Sequence, residues 1–264
     1  MTASTEHTFI IIDGAGMVYR SFYAVPRYLK STAGEPTNAV LGFTNILLSL
    51  LAEHKPAYLA VAFDRKEKTF RHEEFAEYKA TRVKAPDELY AQIPMVKEVI
   101  EAFNIPLYEA SGFEADDVIA TVAKELEKKK DVELLIATGD FDMFQLADTR
   151  VKILYPTKGF SGADIIGSDE VIKRYGFRAT QIPDYKGLHG DTSDNIPGVY
   201  GIGEKTATEL LKKYASLEEI YSHLNEVPES VRKKLEAGKD DAFFSRKLAT
   251  LVNNVPMDFD VGKC

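Results

Sequence analysis

Short apolar runs that each end in aspartate constrain the fold of this chain more than any other feature. The runs are "TFIIID", "YLAVAFD" and "VELLIATGDFD", which end at Asp13, at Asp64, and at Asp140 and Asp142. Runs with so few polar interruptions are typical of strands buried on both faces of a parallel sheet. Helical patterns occupy residues 38–53, 87–103 and 114–129. Strands that alternate with helices predict an α/β fold with a mostly parallel central sheet flanked by helices.

Two further strands are predicted in this part of the chain, at "IPLYE" and at "VKILYP", residues 151–156. After about residue 165 the strand-like runs cease. Short helical segments separated by Gly and Pro follow at 168–175, 179–187, 203–214, 216–224, 228–236 and 240–250. We therefore expect an α/β body over residues 1–170 and a helical region over residues 171–264. Because no Gly/Ser-rich linker joins them, we expect the two parts to pack together.

Composition limits the class of protein. The chain has 264 residues, of which 45% are hydrophobic, enough for a substantial buried core. The single cysteine, Cys264, excludes an internal disulfide framework and a cysteine-based zinc site. The first residues lack the basic segment and apolar run of a secretory signal, and no stretch is long enough to span a bilayer. We expect a cytoplasmic protein without a membrane partner.

The net charge of −8 does not decide whether the partner is a nucleic acid. Residues 65–84 contain seven basic and four acidic residues, a local net charge of +3. Acids that bind metal ions are also partly neutralised when the ions are present. The overall sum therefore hides a basic segment that could contact phosphates.

Nine carboxylates are expected to meet at one edge of the sheet. Ligands of open parallel sheets bind beyond the carboxyl ends of the strands, where the strand-end aspartates lie. The helix at 114–129 opens with three more acids after a short strand, and "LHGDTSDNIPGV" adds two that share a face if this turn is helical. The nine are Asp13, Asp64, Glu114, Asp116, Asp117, Asp140, Asp142, Asp191 and Asp194.

So many anions in one crevice require cations. Oxygen ligands without His or Cys suit Mg²⁺ or Mn²⁺ better than Zn²⁺. Two groups of carboxylates suit two ions about 4 Å apart. Each acid alone has a simpler interpretation, because Asp is common in turns and acids in a first helical turn complement the helix dipole. Their joint occurrence at successive element ends favours the metal site.

The stretch "PGVYGIGEKTATELLKKY" predicts a helix-hairpin-helix at about residues 195–214. It is not a Walker A loop, because Glu204 separates Gly203 from Lys205. Gly198, Gly201 and Gly203 allow a tight turn whose N–H groups bind a duplex phosphate beside a helix N-terminus. An ordinary tight turn between two helices is the alternative interpretation.

Six segments together resemble a known family. They are "IIIDGAGMVYRSFYA", "VAFDRKEKTFRHEEFAEYKATR", "GFEADDVIATVA", "IATGDFDMFQL", "GLHGDTSDNIPGVYGIGEKTA" and "LEEIY". Their order is similar to that of the 5′-nuclease (flap endonuclease) family, and most closely to the bacterial 5′–3′ exonuclease module of DNA polymerase I. The resemblance extends from about Phe9 to about Val255.

The resemblance implies a Mg²⁺-dependent phosphodiesterase, a 5′–3′ exonuclease and 5′-flap endonuclease that removes primers and flaps in DNA replication and repair by two-metal catalysis. It implies two Mg²⁺ ions, with Mn²⁺ able to substitute. The implied partners are DNA with a free 5′ end, 5′ flap or nick, and a fused or separate DNA polymerase. A monomer is expected.

Site roles follow from the same resemblance. One ion would be held mostly by Asp13, Asp64, Glu114, Asp116 and Asp117, and the second by Asp140, Asp142, Asp191 and Asp194. The chain departs from many bacterial members at Phe141, where they have Lys between the two acids of the "GDxD" motif. Retention of "GDTSDN" indicates that the ligands of the second ion are kept.

The segment at about residues 65–95 would form an arch over the active site. Lys79 and Arg82, three apart on one helical face, would contact and steer the scissile phosphate, and Tyr78 would stack on a base. Arg20 would hold a phosphate near Tyr19, and Arg71 would bind the DNA backbone or pair with Glu74. The hairpin would contact DNA through Gly198, Gly201, Gly203, Lys205 and Thr206. K⁺ would bind the carbonyls of Val199 and Ile202.

Two other functions compete with the nuclease. A solvated charged helix face is the simpler interpretation of the basic segment, and a catalytically silent DNA module that binds junctions through its hairpin would fit a chain that had lost metal acids. A phosphatase for small substrates would keep the acids but not need the hairpin. All nine acids are present, which favours the nuclease.

Overall fold

The computed structural model describes residues 7–156 and 163–264. One six-stranded sheet has the strand order β3-β2-β1-β4-β5-β6. The strands are β1 (His7–Asp13), β2 (Tyr58–Ala62), β3 (Leu107–Tyr108), β4 (Val132–Ala137), β5 (Val151–Tyr155) and β6 (Asp164–Ile166). All neighbours are parallel except β5 and β6, which are antiparallel. The predicted α/β fold with a mostly parallel sheet is therefore confirmed.

Twelve α-helices of the described residues surround or follow this sheet. They are α1 (Gly14–Ala24), α2 (Asn38–His54), α3 (Phe70–Glu74), α4 (Asp87–Tyr90), α5 (Ile93–Ala102), α6 (Ala115–Leu126), α7 (Ser168–Tyr175), α8 (Ile182–His189), α9 (Glu204–Lys213), α10 (Leu217–Ser222), α11 (Glu229–Ala237) and α12 (Lys239–Ala249). None of them is long and apolar enough to cross a membrane.

The central strand β1 divides the core into two layers. Ile10 and Ile12 pack in the layer beneath α1, α2 and α5, whereas Phe9 and Ile11 pack in the layer that contains α6. This alternation is the two-residue period of a strand buried on both faces. The second layer continues without a break into the C-terminal helices, for example at Leu217. The two parts of the chain therefore pack together, as expected.

The predicted helix over 87–103 is wrong in one respect, because it is broken into α4 and α5. Pro94 lies in the first turn of α5, and proline cannot donate the hydrogen bond that would continue a helix through this point. The side chain of Gln92, at the break, accepts a hydrogen bond from the N–H of Ala39 on α2 at 2.8 Å. The interruption is thus stabilised by a neighbouring helix.

Strand β6 was not predicted, because three residues are too few to show a period. It pairs with β5, with Tyr155 opposite Asp164. The register of the central strands matters more for function. Asp13 lies opposite Ala62 of β2, and Ile12 lies opposite Ala137 of β4. The carboxyl ends of β1, β2 and β4 therefore reach the same edge of the sheet.

Candidate metal centre

Strand β1 delivers the first acid to this edge. Asp13 is the last residue of β1 and caps α1, accepting a hydrogen bond from the N–H of Gly16 at 2.9 Å. Asp64 follows β2 by two residues and accepts one from the N–H of Ala115 at 2.8 Å. Because Ala115 begins α6, this bond connects β2 to the helix that carries Asp116. Strand ends and helix start thus converge as predicted.

Strand β4 delivers the next pair. Asp140 accepts a hydrogen bond from the N–H of Asp142 at 2.8 Å and begins a short 3₁₀ helix. The hydroxyl of buried Thr138 donates to Asp13 at 2.9 Å and accepts from the N–H of Asp140 at 3.1 Å. Thr138 therefore links the acids of two strands, a role that the sequence analysis missed because "ATGD" reads as an ordinary loop.

Asp191 and Asp194 lie in a turn and not in a helix, so the condition for their shared helical face is not met. Asp191 and Ile196 exchange two backbone hydrogen bonds, each of 2.8 Å, that close this turn. An Asp191 carboxylate oxygen accepts a hydrogen bond from the N–H of Ser193 at 2.8 Å. The turn still brings the two acids together: one oxygen each of Asp142, Asp191 and Asp194 lie within 4.8 Å of one another.

The acids nearest β1 have no cation within ion-pairing distance among the described residues, and their mutual repulsion is visible in their pKa values. Burial, with added repulsion from Asp64 and Asp140, raises the pKa of Asp13 to about 6. Burial, then Asp140 and Asp13, raise the pKa of Asp116 well above its ordinary value. Crowded oxygen donors with this deficit of positive charge fit hard divalent cations.

The base of the predicted arch provides positive charge on the other side. Lys79 Nζ lies 2.6 Å from a carboxylate oxygen of Glu114 and 3.8 Å from one of Asp194. Arg82 forms an ion pair with Asp194. The prediction that Lys79 and Arg82 share a helical face is wrong. They lie in successive turns after α3. The reason is local: Lys79 has a φ of 57°, which no α-helix accommodates.

Tyr78 is placed differently from the sequence prediction. Its ring is only 3% exposed, so it offers no face to a base in this conformation. Its hydroxyl lies 3.1 Å from a carboxylate oxygen of Glu114 and 3.1 Å from one of Asp194. Tyr78 therefore bridges an acid of each predicted metal group.

Asp117 and Arg71 are also placed differently, since they pair with each other. Arg71 is 1% exposed and donates to both carboxylate oxygens of Asp117 at 2.7 and 2.8 Å. The N–H groups of Glu114 and Val252 complete the partners of Asp117 at 3.2 and 2.8 Å. Arg71 thus binds neither Glu74 nor the surface, and the oxygens of Asp117 are engaged inside the protein.

The crevice beside these acids has a volume of about 1030 Å³ and is lined by Asp13, Tyr19, Arg20, Asp140, Asp142 and Asp191 among others. Arg20 donates to the carbonyl of Pro156 at 2.9 Å, which holds its guanidinium at the rim. Tyr19 is 50% exposed, with its ring 4.8 Å from that of Tyr23. The space exceeds what metal ions need and admits a nucleotide-sized ligand.

The glycine hairpin lies between α8 and α9. Gly198 and Gly201 have φ values of 63° and 80°, which favour glycine. Gly203 precedes α9, and apart from its chain neighbours no described residue has an atom within 4 Å of the place where a Cβ would be. Lys205 and Thr206 occupy the first turn of α9. The carbonyl of Val199 accepts a hydrogen bond from the N–H of Ile202 at 3.0 Å.

Lys186, on α8, was missed by the sequence analysis. It forms ion pairs with Asp142 and, at 2.5 Å, with Asp191. Nothing in "DYKGLHGD" indicates this direction, because a lysine on a helix is ordinarily solvated. Only the packing of α8 beside the loop after β4 turns this side chain inward.

The metal-free protein is expected to lose stability as the pH rises from about 4 to about 7. In the unfolded chain Asp titrates near 3.9. Burial and neighbouring acids raise the pKa of Asp13 to about 6 and, despite Lys186, that of Asp142 to about 7. The folded state therefore binds protons more tightly, and deprotonation in this interval favours unfolding. Melting temperatures in EDTA, compared at pH 5 and pH 8, check this expectation.

Below about pH 4 the pH dependence of stability has the opposite sign, because stability there falls as the pH falls. Burial raises the pKa of Asp191, but Lys186 and Ser193 lower it by more, to about 2. The stability that this group contributes is present above about pH 4 and is lost below it. The melting temperature in EDTA should pass through a maximum near pH 4, where the two effects meet, and a divalent ion should flatten the alkaline decline. A steady rise of the melting temperature from pH 5 to pH 8 in EDTA would contradict this assignment.

An acidic crevice at the edge of a mostly parallel sheet, followed by a helical hairpin region, defines the class of 5′ nucleases. The chain belongs to the 5′–3′ exonuclease family. Residues 8–176 match the profile described as the 5′–3′ exonuclease N-terminal resolvase-like domain, and residues 177–264 match that of the 5′–3′ exonuclease C-terminal SAM fold. The predicted family is thereby confirmed.

A relative agrees with this membership, and two solved structures share the fold. DNA polymerase I of Caldicellulosiruptor bescii is 47% identical over 94% of this chain, which spans only 29% of that protein. A 5′-exonuclease of bacteriophage T5 with bound divalent zinc ions has a TM-score of 0.75 at 22% identity, covering 93% of this chain and 90% of that one. A bacteriophage T5 flap endonuclease, in a pseudo-enzyme–product complex with DNA and metal ions, also has a TM-score of 0.75, at 20% identity over 94% and 89%.

Proposed function

We propose that this chain hydrolyses DNA phosphodiesters beside a free 5′ end, 5′ flap or nick, using two Mg²⁺ ions for which Mn²⁺ can substitute. The observation that carries the proposal is the gathering of carboxylates from separate parts of the chain at one open crevice, which Asp13, Asp140, Asp142 and Asp191 line. Asp142, Asp191 and Asp194 have oxygens within 4.8 Å of one another. The DNA and metal ions in the complex of the related T5 flap endonuclease give further support.

The acids fall into two groups around this crevice. For the first ion we propose Asp13, Asp64, Glu114 and Asp116, and for the second Asp142, Asp191 and Asp194. Asp140 lies close to both groups. Its charge therefore raises the pKa values of Asp13 and Asp116 in the first group and of Asp142 in the second. Asp117 is left out, since its oxygens are bound by Arg71 and two N–H groups.

When bound, such ions lower the pKa of a water molecule and stabilise negative charge on the phosphate. The side chains of this protein supply orientation. Lys79 and Arg82 are held by Glu114 and Asp194, one acid of each proposed metal group, and their cationic ends would attract a DNA phosphate there. The hydroxyl of Tyr78 contacts both Glu114 and Asp194 and fixes their carboxylates relative to each other. Arg20, at the rim, would hold a neighbouring phosphate.

The hairpin is proposed to grip the duplex. Gly201 and Gly203 are exposed beside the N-terminus of α9, a common arrangement for phosphate binding. Gly198, predicted to contact DNA with them, is instead buried, and its N–H donates to the hydroxyl of Ser245 at 3.0 Å. Lys205 and Thr206 would add side-chain contacts. K⁺ at the carbonyls of Val199 and Ile202 stays a prediction. Such contacts read no bases, which agrees with a nuclease that recognises DNA structure.

Lys205→Ala is expected to weaken binding of a 5′-flap duplex roughly tenfold, and to reduce the salt slope of log K by about 1, because one phosphate contact is lost. The side chain is exposed, so stability should not change. Fluorescence anisotropy at several salt concentrations measures both effects. Lys124→Ala, which removes an exposed lysine paired with Glu127 on α6, is the control. An unchanged salt slope would remove Lys205 from the DNA contact.

Organisation and partners are proposed on the same basis. We divide the chain into a nuclease body over residues 1–170, which includes the arch segment at about 65–95, and a helical DNA-binding region over 171–264. A DNA polymerase, fused or separate, is the proposed protein partner, because the relative from Caldicellulosiruptor bescii is a DNA polymerase I. We further propose that the chain acts as a monomer in the cytoplasm.

One experiment separates this function from its rivals. A labelled 5′ flap, a blunt duplex and p-nitrophenyl phosphate are incubated with the protein, with and without Mg²⁺. We expect Mg²⁺-dependent cleavage near the flap junction, leaving a 5′-phosphate and a 3′-hydroxyl, and no release of p-nitrophenol. Binding of the flap without cleavage would indicate a silent junction-binding module. Hydrolysis of p-nitrophenyl phosphate alone would indicate a phosphatase.

A further inference from the structure

A protein cation already lies among the acids proposed for the second ion. Lys186 is 5% exposed, and its ammonium lies 2.5 Å from a carboxylate oxygen of Asp191 and forms a second ion pair with Asp142. These are two of the three acids whose oxygens converge within 4.8 Å. The third, Asp194, is paired with Arg82. The second group of acids is therefore neutralised from within the protein.

The first group differs in this respect. Among the residues that the structure describes, no lysine or arginine lies within ion-pairing distance of Asp13, Asp64, Asp116 or Asp140. Of the acids proposed for the first ion, only Glu114 is paired, with Lys79 and Arg71. A divalent ion entering the first group meets uncompensated anions. An ion entering the second group must first separate Lys186 from its two carboxylates, and the freed ammonium then repels it.

We propose that Lys186 is the resident counterion of the second metal site and sets its affinity. This inference deepens the proposed function and rests on it. In the absence of DNA, the charge of Lys186 competes with a metal ion for the carboxylates of the second site. The first ion therefore binds tightly and the second weakly. It acts as a positioning residue, since the groups that it contacts are the carboxylates and not the substrate.

Burial of the ammonium makes the effect large. A charge within a few ångströms of a metal site, away from bulk water, interacts far more strongly than an exposed one. Removing the Lys186 ammonium leaves Asp142 and Asp191 without a cation within ion-pairing distance among the described residues. Asp13 and Asp116 are already in this situation. The second site should then come to resemble the first in affinity.

The test is Mn²⁺ binding to the DNA-free protein, measured by isothermal titration calorimetry and by the electron paramagnetic resonance signal of free Mn²⁺. For the wild type we expect one tight and one weak site. Lys186→Met should tighten the weak site at least tenfold and leave the tight site unchanged. Lys186→Arg keeps the charge and should keep the weak site weak. Lys152→Met, which breaks a more exposed ion pair with Glu133 that does not line the crevice, is the control.

The outcomes separate this inference from the proposed function. Wild-type protein that binds no Mn²⁺ would overturn both. Wild-type protein with two sites, and a Lys186→Met variant whose second site is unchanged or weaker, would overturn only the role of Lys186. Thermal unfolding in EDTA shows whether each variant is folded; if Lys186→Met is not, Lys186→Gln provides the same loss of charge with a polar side chain.

Discussion

Replacing Asp140 by asparagine is expected to lower kcat/KM for flap cleavage by about 10³-fold, because the metal ions that stabilise transition-state charge are then held and positioned less well. Asp140 lies between the two groups of acids, and its charge raises the pKa values of Asp13, Asp116 and Asp142. Its removal therefore weakens the negative field at both proposed ions. Cleavage rates at saturating Mg²⁺ measure the effect.

The same substitution should stabilise the metal-free protein. Because Asp140 repels three neighbouring carboxylates, neutralising it in EDTA at pH 8 should raise the free energy of unfolding by about 1 kcal/mol. A loss of activity together with a gain in stability is difficult to obtain from mere misfolding. Asp131→Asn, in an exposed turn before β4, is the matched control and should change neither quantity. Activity within tenfold of the wild type would exclude Asp140 from the metal centre.

Asp117→Asn is expected to cost about 3–5 kcal/mol of stability, because it leaves a buried arginine without its counterion. Asp117 accepts two hydrogen bonds from Arg71, and Arg71 also donates to the carbonyls of Leu248 and Thr250 at 2.8 and 3.0 Å. The pair therefore joins the start of α6 to α3 and to the end of α12. Urea unfolding without metal ions measures the loss.

The substitution Asp116→Asn, at the neighbouring position, is the control that distinguishes the loss of stability from the loss of a metal ligand. It should abolish most activity without lowering stability in EDTA, since Asp116 is crowded by Asp13 and Asp140 and has no cation partner among the described residues. The double variant Arg71→Met, Asp117→Leu should regain part of the stability that Asp117→Asn loses. Wild-type stability of Asp117→Asn, combined with loss of a bound ion, would return Asp117 to the list of ligands.

Much of the fold could be predicted because its signals are local. Nearly uninterrupted apolar runs identified β1, β2, β4 and β5. The helical period identified α2, α6 and α7, and the largest difference in their bounds is at the end of α6, which stops three residues before the predicted one. Failures occurred where the local signal was short or broken. Strand β6 has three residues, and Pro94 interrupts a helical pattern that otherwise continues from α4 into α5.

The convergence of the acids was also predictable, for a topological reason. Parallel strands end at one edge of their sheet, so acids that follow successive strands meet there whatever the details of packing. The sequence alone therefore determined the fold class, the chemical nature of the crevice and its place at the carboxyl ends of the strands.

Only the tertiary structure decided which charges pair with which. Arg71 and Asp117 are 46 positions apart, and Lys186 meets Asp142 across the junction of α8 with the loop after β4. A side chain selects among such partners by the packing of distant elements and by the cost of burying charge, and neither leaves a period or a motif in the sequence. Asp117, at the start of α6, is thus paired inside the protein. Lys186, which the sequence did not indicate, lies among the acids proposed for the second ion.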